Sequence, residues 1–367
     1  APRRRFLFKM WNFVYVCFPL LLLTTQVVHV ENDLPDLTID TCPQPEDIAP
    51  CLCRLDLEPE TLLPNIECNG IEEDDLLGRV FQAYFPTKDF HMLHVHNSHG
   101  VQHLKNGVFG DVTFEVIFFD TTRLESVERD VFNKSVSTMK ELIFRFNNIR
   151  DDFPFDILKD YVALEKFEVN SCENYHNFCI TNFPIIDAPQ LKYLDISEQP
   201  IYNLPDDPFQ GVPNIIEIQI GYNGFTDIPK GIFENLHSLE KVYLILNRLT
   251  ELQEGLFTMN SENLKEIVLS TNKIRNIHKN AFVGLNISSQ KVTIDLWGNN
   301  IQTLNRTVYE DLLSLGTYMD LRANPLECGC DADWIVFHPE YQEFVSNAEC
   351  KHGRLIDQDV GWYEANC

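Results

Sequence analysis

Five of the eleven histidines, His91, His94, His96, His99 and His103, fall within thirteen residues. Imidazole is a common ligand of divalent metals and the side chain whose charge changes near neutral pH. His94 and His96 are separated by one residue, and on a strand that spacing puts both side chains on one face. Two imidazoles so placed can begin a zinc or copper site. No carboxylate or thiol close in sequence completes a tetrahedral set, so the expectation is a polar, pH-sensitive surface without a metal. No other stretch has catalytic spacing. G-x-S-x-G, H-E-x-x-H, the P-loop and the dinucleotide fingerprint are all missing from the chain. The reading is of a protein that is not an enzyme and needs no cofactor.

The elements that must position these residues follow from a repeat. Asn223, Asn247, Asn272, Asn299 and Asn324 recur every 24 to 27 residues, in IEIQIGYNGF, KVYLILNRL, EIVLSTNKI, TIDLWGNNI and YMDLRANPL. That is the L-x-x-L-x-L-x-x-N-x-L pattern of leucine-rich repeats. Each repeat supplies one short strand. The sites are Leu93–Val95, Ile117–Phe119, Leu142–Phe144, Phe167–Val169, Leu194–Ile196, Ile218–Ile220, Val242–Leu244, Ile267–Leu269, Ile294–Leu296 and Met319–Leu321, with an opening strand near Ile66–Cys68. The apolar residues point into the coil, and the Asn amide pairs with backbone groups where the chain leaves the sheet. Phe109, Phe132, Phe209, Phe233, Phe257, Phe282 and Tyr309 form a second ladder, expected as a convex-side aromatic spine. The predicted fold is an α/β solenoid: a curved leucine-rich-repeat horseshoe with one parallel sheet and disulfide-bonded caps at both ends. Its parts are a signal-peptide region (1–30), an N-terminal extension and cysteine-rich cap (31–89), the repeats (90–324) and a C-terminal cap (325–367).

The compartment is legible too. Arg3, Arg4, Arg5 and Lys9 precede an apolar run, Phe13 to Leu23, that fits a signal sequence and is too short to span a bilayer. Cleavage is expected between Thr24 and Glu31. Beyond the run, no apolar stretch of membrane-spanning length follows. Cys17 aside, ten cysteines cluster mostly at the two ends, as in a chain that matures in an oxidising compartment. Sequons at Asn133, Asn286 and Asn305 agree with secretion, and all three follow the strand of their repeats. The formal charge of −26 becomes −30 once the four basic residues of 1–30 are set aside. Nucleic acid and anionic membranes are repelled by that balance.

The concave sheet is the expected working surface. Phe118, Ile143 and Phe146 at one end, and Tyr222, Tyr243, Ile245, Leu246 and Trp297 towards the other, are read as facing outward. Glu165, Glu168, Asp195, Glu198 and Glu217 make the face between them acidic. Exposed aromatics beside charge are the usual anchors of a protein interface. Cys172 takes the Asn position of its repeat, with Cys179 close by. It is either a buried ladder residue or, the favoured reading, half of a local Cys172–Cys179 bridge.

The caps carry a resemblance. Cys42-Pro-x₇-Cys51-x-Cys53-x₁₄-Cys68 and Pro325-Leu-Glu-Cys328-Gly-Cys330-Asp-Ala-Asp-Trp334, with Cys350 and Cys367, resemble the cysteine-rich caps of extracellular leucine-rich-repeat proteins. That likeness implies the pairs Cys42–Cys53, Cys51–Cys68, Cys328–Cys350 and Cys330–Cys367. CPQPEDIAPCLC, its acidic neighbour and GRVFQAYFP resemble a family of secreted arthropod leucine-rich-repeat proteins that includes non-catalytic subunits of luciferin monooxygenases. The resemblance implies a non-enzymatic subunit that binds or stabilises a smaller secreted, luciferase-type catalytic chain. The alternatives are a cell-surface or matrix recognition protein, a truncated receptor ectodomain, or a chain that is itself an oxidase.

Overall fold

The computed structural model describes residues 41–55, 62–172, 179–285, 291–345 and 347–367. The leader, the first part of the N-terminal extension and the Asn286 sequon lie outside the described residues. One body spans Leu37–Cys367.

A twelve-stranded sheet forms the spine of that body. Its strands are β1 (Cys51–Arg54), β2 (Asn65–Asn69), β3 (Asp89–His96), β4 (Thr113–Asp120), β5 (Glu141–Arg145) and β6 (Lys166–Asn170). They continue as β7 (Tyr193–Asp195), β8 (Glu217–Gln219), β9 (Lys241–Tyr243), β10 (Glu266–Val268), β11 (Thr293–Asp295) and β12 (Tyr318–Asp320). Order in the sheet follows order in the chain, and every pair from β2 to β12 is parallel. β1 is the exception to the all-parallel expectation: it folds back antiparallel on β2. A hairpin needs only a short turn, whereas a parallel partner needs a full coil, so the cap closes the open edge with a reversed strand.

Register explains the core. Ile66, Leu93, Ile117, Leu142, Phe167, Leu194, Ile218, Val242, Ile267, Ile294 and Met319 lie side by side, all almost free of solvent. Beneath the sheet, Phe209, Phe233, Phe257 and Phe282 stack with centroids 5.3 to 5.9 Å apart and planes within 19°. Phe109 and Phe132 stack likewise at 5.9 Å. Between these two runs Phe183 meets Phe209 edge-on, so the spine is broken across the repeats that carry no aromatic in phase.

The asparagines join in a continuous chain. Asn247 Nδ2 donates to Ile220 O (3.0 Å) and Leu244 O (3.1 Å), and its Oδ1 accepts from Phe225 N (3.2 Å). Asn272 shares Leu244 O (2.9 Å) and adds Leu269 O, which Asn299 shares in turn. Asn324 completes the series through Leu296 O and Leu321 O. Ile220 O, Leu244 O, Leu269 O and Leu296 O are thus each held by two consecutive amides. Towards the N-terminus other side chains take over the rung. Asn147 bonds Phe119 O, Arg145 O and the Thr122 hydroxyl, Gln199 accepts from Ile180 N, and Ser98 accepts from Ile71 N while donating to His96 O.

Each coil leaves the sheet through a residue with positive φ. Gly70, Asn97 and Gly298 suit that conformation, but Phe146 (φ 51°), Tyr222 (53°) and Leu246 (54°) occupy it as well. Both ends are tied. Disulfides join Cys42–Cys53 and Cys51–Cys68 at the first end and Cys328–Cys350 and Cys330–Cys367 at the last, and Cys172 pairs with Cys179 between them. In the C-terminal cap, Trp334 Nε1 donates to Leu304 O (2.8 Å) and the Tyr363 hydroxyl donates to Cys328 O (2.6 Å), so the last coil is covered by satisfied polar groups.

Candidate functional site: the concave face

Three zones follow one another along the concave face. At the N-terminal end the histidine cluster separates. His91 Nδ1 meets Glu115 Oε2 at 2.9 Å, His103 Nδ1 meets Asp74 Oδ2 at 3.1 Å, and His99 is exposed. His94 and His96 stay together, with ring centroids 4.5 Å apart. The β2–β3 register sets Glu67 beside His94, and Glu67 Oε1 lies 3.0 Å from His96 Nε2. Sequence proximity therefore misjudged the missing carboxylate: Glu67 is one repeat away in sequence and adjacent in the sheet. Placing Ile66–Cys68 against Leu93–Val95 was the signal that could have found it. Burial, and then the charge of His96, holds the His94 imidazole below its ordinary pKa.

Next comes a packed zone. Phe118 lies between the His94 ring, stacked at 4.5 Å and 7°, and the Arg145 guanidinium, 5.1 Å from its centroid. Ile143, expected to face outward, is in the concave column but only 5% exposed. Phe118 and Glu168 flank it in the sheet register. The acidic centre is only partly open: Glu168 is 0% exposed and Asp195 3%, Glu198 and Glu217 are half-buried, and Glu165 is exposed. Arg145 chelates Glu168, with Nη2–Oε2 at 2.9 Å, and Lys166 Nζ adds a contact at 3.3 Å. Ser197 and Asn170 donate to the Asp195 carboxylate. Charges so deep persist because each has partners.

Desolvation is the largest influence on Asp195 and pushes its pKa up to about 6. A raised carboxyl pKa means the fold favours the protonated form. That contribution is fully present below the unfolded value near 4 and is lost as pH rises through about 6. Asp195→Asn should therefore remove about 1 kcal/mol of the stability lost between pH 5 and pH 8, as read by urea denaturation at the two pH values.

The third zone is apolar and open. Phe146 (49% exposed), Tyr222 (45%), Leu246 (37%) and Trp297 (43%) stand along the rim where the strands end. Tyr243 and Ile245 fill in behind them, partly covered, and the Tyr243 hydroxyl donates to Glu266 at 3.0 Å. Gly221 makes this packing possible, because a Cβ there would sit 2.7 Å from an Ile245 methyl. Tyr202, exposed beside Gly224 and capped by Arg248 at 5.7 Å, extends the rim. Its position after the strand hid it from a reading confined to strand residues. Away from the sheet, Asn133 opens a short 3₁₀ turn, and exposed Asn305 caps the helix Arg306–Ser314 by accepting from Thr307 N. No helix among the described residues is long and apolar enough to cross a membrane.

A parallel sheet of register-locked coils, an asparagine chain and cysteine-rich ends define a leucine-rich-repeat solenoid. The family description "BspA type Leucine rich repeat region" matches six copies over residues 186–315. The chain is 27% identical to the Oplophorus-luciferin 2-monooxygenase non-catalytic subunit of Oplophorus gracilirostris, over 371 residues that cover 99% of both chains. Solved structures share the fold. One is a chain of the octameric complex of Latrophilin 3, Unc5D and FLRT2, with a TM-score of 0.57, 18% identity and coverage of 71% of this chain and 76% of that one. Another is the Toll–Spatzle complex of Drosophila, with a TM-score of 0.52, 15% identity and coverage of 80% and 50%.

Proposed function

We propose that this chain is a secreted, non-catalytic subunit that holds a partner protein against the open rim of its concave face. The observation that carries the reading is the placement of Phe146, Tyr222 and Leu246 at positive φ, with Trp297 just ahead of the equivalent Gly298, all four exposed. Bulky apolar side chains at such positions are strained and lie outside the buried core. Other repeats place Thr121, Ser171, Glu198, Thr271 or Gly298 there, so the fold does not require a large apolar residue. Clustered exposed aromatics with polar surroundings are what interface anchors look like.

The relative's name supplies the kind of partner: a catalytic chain that a non-catalytic subunit accompanies, here a smaller secreted protein of luciferase type. The chain's formal charge of −26 favours a partner whose docking face is neutral or basic. Five disulfides agree with an extracellular setting. Glycans on Asn133 and Asn305 would leave the rim clear. Affinity purification from the native secretion tests the reading. A second, smaller protein should be recovered in fixed ratio and should carry any luciferin-oxidising activity; recovery of this chain alone at native concentration would sink it.

A further inference from the structure

We infer that Glu67, His94 and His96 bind a first-row divalent cation, Zn²⁺ being the best fit, at the N-terminal end of the concave sheet. The three residues come from neighbouring strands whose register pairs Glu67 with His94 and Asn69 with His96, so their side chains leave the same face. One ligand atom of each lies within 4.8 Å of the other two. His96 Nε2 and Glu67 Oε1 are already 3.0 Å apart, close to the spacing of adjacent ligands on an ion with bonds of about 2.1 Å.

The unpaired atom is what a simple His96–Glu67 ion pair leaves unexplained. His94 Nε2 is buried and has no hydrogen-bond partner. A buried polar nitrogen in that state is rare and costs free energy, which coordination to an ion would recover. Its ring lies 4.5 Å from that of His96, and two cationic imidazoles at that distance repel. Two neutral ones sharing an ion do not.

The surroundings suit a bound ion. Phe118 stacks on His94 and fixes its plane. Asn97 Nδ2 lies 3.1 Å from His96 Nδ1; an amide flip would put the Asn97 oxygen there, hold the Nδ1–H tautomer and leave the Nε2 lone pair for the metal. Arg54 approaches the other Glu67 oxygen at 3.7 Å. A cavity of about 180 Å³ opens beside Glu67 and His94 and is lined also by Arg54 and Met92. Glu67 and His94 face that space, so an ion held by the three residues keeps a position there for water or an anion. Two nitrogens and one oxygen select zinc, copper or nickel over magnesium and calcium. Because β2 belongs to the disulfide-bonded cap and β3 to the next coil, the ion would also clip cap to solenoid.

The test is a titration of the untagged, full-length secreted chain with Zn²⁺ by calorimetry, and with Co²⁺ by visible absorption. The expected result is one equivalent per chain and a ligand-field spectrum of low symmetry. Affinity should fall at least about tenfold in Glu67→Gln, His94→Ala and His96→Ala. His103→Ala, whose imidazole pairs elsewhere, should bind as the parent does. Glu67→Gln preserves volume and keeps the test sound if a histidine variant fails to fold. No binding by the folded parent, or equal binding in the folded Glu67→Gln and His94→Ala variants, would overturn the site.

Discussion

Replacing Tyr222 and Leu246 with glycine and Trp297 with alanine should weaken partner binding on the order of 10³-fold, while the chain's stability changes little. The two halves of that result have separate causes. Buried aromatic and aliphatic anchors contribute about 2 kcal/mol or more each when they sit at the centre of an interface, and three neighbours removed together take away most of one hot spot. Stability should change far less than binding, because none of the three belongs to the buried core. All are at least 37% exposed. Tyr222 and Leu246 also sit at φ of 53° and 54°, where a side chain costs roughly 1–2 kcal/mol and glycine costs nothing sterically. Glycine loses part of that gain through the entropy of the unfolded chain and through the contacts given up, so the net change at these two positions stays within about 1 kcal/mol. Titration calorimetry with the recovered partner, beside a thermal melt, separates the effects. Lost affinity accompanied by lost stability would mean that the rim is structural.

Asn272→Leu should destabilise the chain by about 3–5 kcal/mol. Leu249 N–H loses its acceptor outright, and Leu244 O and Leu269 O each lose one of two donors. An unsatisfied buried donor costs about 1–3 kcal/mol, and the cut falls mid-chain in a solenoid where each coil is held by its neighbours. Asn272→Ser should cost roughly half as much, since Ser98 shows that a hydroxyl can accept from a neighbouring coil and donate to its own. Urea denaturation of parent, Ser and Leu variants orders the three. A Leu variant within 1 kcal/mol of the parent, on the scale of an ordinary surface substitution, would show that the amide chain is not what holds the coils in register.

The same two features mark how far sequence reading reaches. Asn223 to Asn324 were legible because the amide bonds a carbonyl three residues back in its own coil, which fixes its place in the motif. Ser98, Thr122 and Gln199 were not, because shorter or longer side chains reach the same groups and erase the letter while keeping the bond. Strand positions were legible from the alternation of apolar residues. Depth on the concave side was not. Period 2 says that Ile143, Glu168 and Asp195 leave the coil towards the sheet's open face, but not that the side chains of flanking repeats close over them. Phe146, Tyr222 and Trp297 stay open because they lie at the rim, beyond the crowded central column. Contacts between coils, such as Glu67 with His94, need the register of two repeats at once and vanish when each repeat is read alone.

The most direct test of the rim as a docking surface places a photo-reactive amino acid at position 246 in one preparation and at position 134, on the short 3₁₀ turn after Phe132, in another. Each is illuminated in the reconstituted native complex. The rim probe should capture the smaller partner chain and the probe at 134 should capture none. Capture through position 134 with an unlabelled partner at 246 would contradict the account.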